Sequence, residues 1–240
     1  MDLPIINSQP VEKQWLDPDG NLDIVSIWST LQGEGPFAGQ PAAFLRLAGC
    51  NLSSTCKSCD TDYTSGRHVT TIKQVLEEVE VVAPRRYGSK AGQRLVVITG
   101  GEPFRQNLTP LVLLLLRNNF QVQIETNGTY YLADFPYALT SVVCSPKTAS
   151  INSQLRPYLR YLKYILTAGK VDPVDGLPTE SLESGVRPAR PSGDETMVYV
   201  QPLDEQDPVR NQIHLKAAAE SCLRYGYSLS IQLHKLAGLE

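Results

Sequence analysis

Hydrophobic and polar positions follow two repeating patterns along the chain, and together these patterns predict strands alternating with helices. Short apolar runs rich in branched residues, which are typical of strands, occupy residues 24–28, 42–47, 95–98, 122–125, 141–144, 161–166, 197–201 and 228–233. Apolar residues at helical spacing predict helices over 71–82, 108–118 and about 208–224. The alternation predicts an α/β fold built on a parallel sheet.

The sequence also predicts the N-cap of one of these helices and the inward face of another. Thr70 or Thr71 is available as the N-cap of the helix over 71–82, because a threonine hydroxyl accepts a hydrogen bond from a backbone N–H group of the first turn. In the last helix, the residues expected to face inward are Ile213, Ala217 and Cys222.

The segments outside these elements suggest how the chain is organised. Residues 1–22 form a polar, irregular lead-in, and residues 23–240 fit a single domain. Residues 31–39 are predicted to be a loop because of their glycines. Residues 171–196 carry prolines, glycines and acidic residues without periodicity, so we expect an excursion over the surface.

Three cysteines, Cys50, Cys56 and Cys59, stand within ten residues of one another directly after a predicted strand. A lone cysteine is most often a small buried hydrophobe, but three among Asn, Ser, Thr and Lys residues favour metal binding. An iron–sulfur cluster held by three cysteines keeps one iron open for another ligand. A structural zinc site is the alternative at this point, because His68 could complete the ligand set.

Composition and charge narrow the class of protein. The 240 residues are 42% hydrophobic and 20% charged, and the formal net charge of −3 gives no electrostatic footprint for nucleic acid or an anionic membrane. We therefore expect a small substrate. The five cysteines, with Cys144 and Cys222 inside apolar patterns, predict free thiols in a reducing compartment. No targeting pattern or membrane span is present, so we expect a cytoplasmic protein.

Five polar segments follow predicted strands, where ligands bind in parallel α/β sheets and barrels. Because the carboxyl ends of parallel strands meet at one edge, we expect these segments to form one site. They are the cysteine loop, Thr99-Gly100-Gly101-Glu102-Pro103, Glu125-Thr126-Asn127-Gly128-Thr129, Ser145-Pro146-Lys147 and Gln201-Pro202-Leu203-Asp204.

Taken in order, these motifs resemble those of radical S-adenosylmethionine (SAM) enzymes, and the full set resembles the 7-carboxy-7-deazaguanine synthase family. The resemblance extends from about residue 24 to the C-terminus. It also rests on Leu31-Gln32-Gly33-Glu34-Gly35, on Phe44-Leu45-Arg46-Leu47-Ala48-Gly49-Cys50-Asn51-Leu52, on Cys59-Asp60-Thr61 and on Glu205 after the last motif.

The resemblance implies a fold and a reaction. The fold is a partial (β/α) barrel of the radical SAM type with a reduced helix complement, formed by residues 23–240 as the catalytic domain. The reaction converts 6-carboxy-5,6,7,8-tetrahydropterin to 7-carboxy-7-deazaguanine by radical ring contraction with loss of ammonia, a step of 7-deazapurine and queuosine biosynthesis. A flavodoxin or ferredoxin would donate the electron that cleaves SAM, and the protein would be a homodimer.

The resemblance also implies roles for individual residues. A 4Fe-4S cluster would be held by Cys50, Cys56 and Cys59, and Mg²⁺ by Thr61. SAM would contact Gly101, Ser145, Pro146, Lys147, Gln201, Pro202, Leu203 and Asp204. The pterin would contact Leu31, Gln32, Gly33, Arg46, Thr99 and Glu240, the last lying near His234 in the chain.

The residue types suit these roles. The guanidinium group of Arg46 can bind a carboxylate through two parallel hydrogen bonds, and the expected pterin carries a carboxylate. The hydroxyl of Thr61 is an acceptable oxygen ligand for Mg²⁺, which keeps waters and substrate oxygens around it.

Two features depart from the family pattern. Five residues separate Cys50 from Cys56 where a shorter gap is usual, and we expect the extra residues among 53–55 to bulge outward. Ser58 stands where an aromatic residue is common, which predicts a different adenine pocket. Two alternatives stay open: another radical SAM enzyme, such as a glycyl-radical activase, and a zinc-binding module without catalysis.

Overall fold

Nine strands form one sheet in the computed structural model, which describes residues 7–84, 93–193 and 196–239. The strands are β1 (Leu22–Leu31), β2 (Pro41–Leu47), β3 (His68–Thr70), β4 (Arg94–Gly100), β5 (Phe120–Thr126), β6 (Ser141–Cys144), β7 (Tyr161–Leu166), β8 (Met197–Pro202) and β9 (Ser228–Leu229). Their order across the sheet is β3-β1-β2-β4-β5-β6-β7-β8-β9. Neighbours from β2 to β9 are parallel, whereas β1 is antiparallel to β2 and β3.

Few helices cover this sheet. They are α1 (Ile72–Val82), α2 (Thr109–Arg117), α3 (Pro208–Tyr225) and the short α4 (Leu233–Leu236). In the described chain, the connections that follow β5, β6 and β7 contain only 3-10 turns or irregular backbone. The predicted α/β fold with a parallel sheet and a reduced helix complement is therefore confirmed.

Side chains of β2 alternate between two environments, as the pleat of a strand requires. Leu45 and Leu47 belong to the main core, which contains apolar residues of the sheet, α1, α2 and α3. Phe44 belongs to a small cluster on the other face, and Arg46 also faces that side. One face of the sheet is thus sealed by helices, and the other is left to form a site.

Helix α1 begins as predicted. The Thr71 hydroxyl accepts a hydrogen bond from the Gln74 backbone N–H group at 3.3 Å, and the Gln74 side chain accepts one from the Thr71 backbone at 3.1 Å. This capping box satisfies backbone groups that a helix end leaves free.

The inward face predicted for the last helix is wrong at Ile213, which is 54% exposed. Ala217 is half-buried and packs against the main core, and Cys222 is buried, so both predictions are confirmed. His214 is buried in place of Ile213, because its Nδ1 atom accepts a hydrogen bond from the Ala168 backbone N–H group at 3.0 Å, just beyond β7. Apolar spacing alone does not predict a buried histidine at this position.

Two strand predictions also differ from the structure. The strand predicted over 228–233 ends at Leu229, because the Ser230 hydroxyl accepts a hydrogen bond from Gly35 and the chain then leaves the sheet to form α4. Strand β3 was not predicted, since its three residues are too few to show an alternating pattern. It carries His68, the candidate zinc ligand, as an exposed residue at the edge of the sheet.

The irregular segments pack against the sheet. In the lead-in, Val11 forms a parallel bridge with Cys50, and Trp15 forms one with Gln106. Residues 171–193 bury Leu177 and Ala189. The division into a lead-in, a domain over 23–240 and a surface excursion stays a prediction. None of the helices within the described ranges combines the length and apolarity needed to cross a bilayer.

Candidate active site

A cavity of about 500 Å³ opens at the carboxyl ends of the parallel strands. Twelve of the residues predicted for the site line it: Gln32, Arg46, Cys59, Thr61, Thr99, Gly101, Ser145, Lys147, Gln201, Pro202, Leu203 and Asp204. Five other predicted residues do not line it: Leu31, Gly33, Cys50, Cys56 and Pro146. Glu240 lies outside the described residues. The strand-end motifs thus meet in one place.

The three cysteines lie at one side of this cavity. Cys59 is on the wall, and Cys50 and Cys56 are buried behind it. Burial raises the pKa of Cys50 to about 12 and that of Cys56 to about 11, and the neighbouring thiols add to the shift at Cys50. A buried thiolate is stabilised when it binds a metal cation. The thiols therefore fit a group that supplies positive charge.

The zinc alternative depends on His68 completing the set of three cysteines. His68 is exposed on β3 at the edge of the sheet, and it does not line the cavity. Among the described residues, no group of three His, Cys, Asp or Glu side chains is placed to hold a single metal ion.

Gly101 brings the motif after β4 into contact with the cysteine loop. A Cβ atom at Gly101 would lie 2.2 Å from the Gly49 carbonyl oxygen and 2.7 Å from Cβ of Cys50, so only glycine fits. The next residue, Glu102, is fully buried, and its carboxyl group accepts hydrogen bonds from Asn127 N at 2.7 Å and Phe104 N at 2.9 Å. Burial raises its pKa to about 7 although these bonds oppose the shift. Through these hydrogen bonds, Glu102 holds the motif after β4 in place.

A buried ion network forms another part of the wall. Lys163 on β7 donates to Glu125 at 2.8 Å and to Glu34, and all three side chains are largely buried. Burial alone would raise the pKa of Glu34, but Lys163 overcomes this effect and lowers it to about 2. Glu34 therefore stays ionised at neutral pH. Gln32 donates to Glu125 at 3.0 Å, and Gln232 donates to Glu34 at 2.9 Å.

Arg46 occupies the opposite part of the wall. Its guanidinium carbon lies 4.9 Å from the ring centroid of Trp28, a cation–π contact that holds the side chain over the cavity. Its Nε atom is buried without a hydrogen-bond partner. Three more buried atoms on the wall lack a partner among the described residues, namely Thr30 Oγ1, Gln201 Oε1 and His234 Nδ1. Because buried polar groups are nearly always hydrogen-bonded, these four atoms indicate a polar ligand.

Comparison with known proteins decides the family, although no family model matches the chain. The enzyme named 7-carboxy-7-deazaguanine synthase from Rhodospirillum rubrum is 44% identical over 232 residues, which cover 92% of this chain and 94% of that protein. The one from Rickettsia prowazekii is 36% identical over 231 residues, covering 94% and 92%.

The chain belongs to the 7-carboxy-7-deazaguanine synthase family. The crystal structure of QueE from Escherichia coli matches with a TM-score of 0.65 at 27% identity, covering 88% of this chain and 94% of that chain. The family and the enzyme class predicted from sequence, a radical SAM enzyme of the 7-carboxy-7-deazaguanine synthase type, are confirmed.

The cysteine loop of this synthase-family chain departs from the expected shape. Ser53, one of the extra residues, is only 1% exposed, so the prediction that these residues bulge outward is wrong there, while Ser54 is exposed as predicted. Ser58 lines the cavity and donates to Glu183 at 2.6 Å. Leu182, the neighbour of Glu183 in the chain, also lines the cavity. Residues 171–193 thus supply part of the site, which sequence patterns did not indicate.

The C-terminal segment of this synthase-family chain covers the cavity from another side. His234 lies so close to Gly33 that a Cβ atom there would be 2.1 Å from its Nδ1 atom. Burial lowers the pKa of His234, although Glu34 opposes the shift. Lys235 pairs with Asp204 at 2.7 Å and with Asp60 at 3.2 Å, which ties α4 to two of the motifs.

Sequence reasoning missed several residues of this wall. Trp28 and Thr30 are two apart on β1, as expected of one strand face, and that period could have indicated them. Lys163 is a charged residue in an apolar strand, which was also a usable signal. Other cavity residues without a predicted role are Glu34, Phe44, Asp60, Gly100, Glu125, Thr126, Asn127, Ile165, Gln206, Gln232, Lys235 and Leu239.

Proposed function

We propose that the chain converts 6-carboxy-5,6,7,8-tetrahydropterin to 7-carboxy-7-deazaguanine with SAM and a 4Fe-4S cluster. One observation carries the proposal: in a chain of the synthase family, a single cavity joins the cysteine loop to four buried polar atoms without partners. Cys50, Cys56 and Cys59 would hold the cluster, which would supply the electron for cleavage of SAM. The chain itself positions SAM and the pterin and excludes water from the reacting atoms.

The SAM site is proposed along Gly101, residues 145–147 and residues 201–204. Gly101 supports this because it lines the cavity and its lack of a side chain lets the motif after β4 pack directly against Gly49 and Cys50. Lys147 supports it as a buried cation close to Cys56 and Cys59, where the carboxylate of SAM would lie. Thr61, two residues beyond Cys59 and on the cavity wall, is proposed as the Mg²⁺ ligand.

The pterin site is proposed between Arg46 and the ion network, with Thr99 and the backbone of Leu31 to Gly33 nearby. The side-chain oxygens of Glu34 and Glu125, both paired with Lys163, offer acceptors to the amino and N–H donors of a pterin ring. Arg46 offers a fork for its carboxylate. Glu240 is proposed as a further contact from the C-terminal tail.

Arg46→Lys tests the carboxylate contact. We expect kcat/KM for the pterin to fall by about tenfold to 100-fold, mostly through a higher KM, because a hydrogen bond to a charged group contributes about 1.5–3 kcal/mol and lysine lacks the planar fork. Arg94→Lys is the matched control, because Arg94 lies over the Phe120 ring at 4.3 Å and does not line the cavity. Steady-state kinetics with equal losses in both variants would contradict the role of Arg46.

We also propose an electron donor, an oligomeric state and a cellular compartment for the protein. A flavodoxin or ferredoxin would supply one electron per SAM cleaved, and the family resemblance supports a homodimer. All five cysteines are free, which suits a reducing cytoplasm.

SAM cleavage under anaerobic conditions separates this function from its alternatives. The purified protein should be brown, and with a reductant it should form 5′-deoxyadenosine much faster when the tetrahydropterin is present. A colourless, iron-free protein that takes up zinc would overturn the cluster. Cleavage that ignores the pterin but responds to a protein substrate would favour a glycyl-radical activase.

A further inference from the structure

The cysteine loop has a second support, which the lead-in provides. The Asn7 side-chain amide donates from Nδ2 to the carbonyl oxygens of Ser53 and Cys56, each at 3.2 Å. Its backbone N–H group donates to the Lys57 carbonyl at 2.9 Å. One residue of the lead-in thus binds three carbonyl groups inside the segment that carries the unusual gap.

Gln9 holds the far end of the same loop. Its Nε2 atom donates to the Thr61 carbonyl at 2.8 Å, and its Oε1 atom accepts from the Tyr63 backbone at 2.9 Å. Gln9 also donates to Asn7 Oδ1 at 3.1 Å, so the two amides act as a connected pair. Tyr63, which is 1% exposed, lies beneath them.

The longer gap explains why such a support is needed. Ser53 is buried, and a buried carbonyl group without a donor is unfavourable. Few bonds from other parts of the described chain reach the loop; among them, Leu182 accepts from Lys57 N at 3.1 Å and Glu183 accepts from Ser58 Oγ at 2.6 Å. The donors that satisfy the interior carbonyls of Ser53 and Cys56 come from Asn7.

We propose that Asn7 and Gln9 are positioning residues for the 4Fe-4S cluster: their amide groups hold the backbone of residues 53–61, so that Cys56 behind the cavity wall and Cys59 on the wall keep fixed positions relative to each other. This inference rests on the proposed function, since it requires the cluster. Neither residue lines the cavity proposed for SAM and the pterin. They act through the loop, by reducing the number of conformations open to the thiols before iron binds.

Variants of the same size test the side-chain hydrogen-bond donors of Asn7 and Gln9, because they remove the donor without leaving a cavity. Asn7→Asp and Gln9→Glu keep the shape and the acceptor atoms but replace the donating NH₂ group by an oxygen that faces the same carbonyls. Gln14→Glu is the matched control: Gln14 lies in the same lead-in and donates from Nε2 to the Phe104 carbonyl at 3.2 Å, outside the cysteine loop. The proteins are reconstituted anaerobically with iron and sulfide.

The rate of iron release to a chelator is the main readout, and the EPR spectrum of the reduced cluster with and without SAM is the second. We expect Asn7→Asp and Gln9→Glu to release iron at least about tenfold faster than wild type and to show a broadened or altered EPR signal. Gln14→Glu should match wild type in both. Melting temperatures of the apoproteins show whether a variant has lost its fold.

The outcomes distinguish failure of the proposed function from failure of the positioning role of Asn7 and Gln9. If wild type takes up no cluster, the proposed function fails and the inference fails with it. If wild type holds the cluster and both isosteric variants release iron at the wild-type rate, the positioning role is overturned and the function stands. Equal acceleration in Gln14→Glu, or a fall in apoprotein melting temperature that accounts for the iron loss, would also overturn the positioning role.

Discussion

Cys56→Ala is expected to leave the protein without its 4Fe-4S cluster and therefore without measurable SAM cleavage. A cluster held by three cysteines has no protein ligand to spare, because the fourth iron is the one that SAM occupies. Losing one of the three exposes an iron to solvent and chelators. Iron and sulfide analysis after anaerobic reconstitution, together with the visible absorbance of the cluster, measures the effect.

Cys144→Ala is the control for this experiment. Cys144 is as buried as Cys56, and burial raises its pKa too, but it is part of the main core. Its replacement removes a packed sulfur and should leave the iron content unchanged. If both variants lost the cluster to the same extent, or if Cys56→Ala kept it, the assignment of the cysteine loop would be wrong.

Lys163→Met is expected to destabilise the apoprotein by about 3–5 kcal/mol, because it leaves Glu34 and Glu125 buried without their cation. Chemical denaturation gives the free energy of unfolding. Lys170→Met is the control: Lys170 pairs with Glu180 but is 42% exposed, so its replacement should change stability by less than about 1 kcal/mol. Equal losses would contradict the importance of the buried network.

The stability of the wild-type protein and the stability of Lys163→Met should depend on pH with opposite signs. In wild type the pKa of Glu34 is depressed to about 2, so its contribution to stability is present above the unfolded value of 4.5 and is lost as pH falls toward 2. In Lys163→Met, the cation that lowers the pKa of Glu34 is gone, and burial raises that pKa above the unfolded value. The variant should therefore recover stability relative to wild type as pH falls from 7 to about 4.5, because protonation removes the unpaired charge.

The parts of the site that sequence could predict are those tied to strand ends. Arg46 and Thr99 are neighbours across β2 and β4, and their meeting in one cavity follows from the parallel register that the apolar runs imply. The cysteine loop was predicted for the same reason. In these cases a local pattern fixes the end of a strand, and the sheet brings the ends together.

The parts that sequence did not predict depend on contacts between distant segments. Lys163 meets Glu34 across 129 positions of the chain, and Asn7 meets Cys56 across 49. The spacing of apolar residues along the sequence carries no information about such pairs. Helix α4 has only four residues, too few for helical spacing to show, and the burial of His214 on α3 depends on a hydrogen bond that apolar spacing does not contain.

Formation of 7-carboxy-7-deazaguanine by the purified protein tests the proposed reaction itself. The reconstituted protein, supplied anaerobically with SAM, Mg²⁺, a one-electron reductant and 6-carboxy-5,6,7,8-tetrahydropterin, should form 7-carboxy-7-deazaguanine, identified by mass spectrometry, and should release ammonia in equal amount. The same mixture with Cys56→Ala should form neither. If the wild-type protein carries an intact cluster and cleaves SAM, yet leaves the pterin unchanged, the proposed reaction is contradicted.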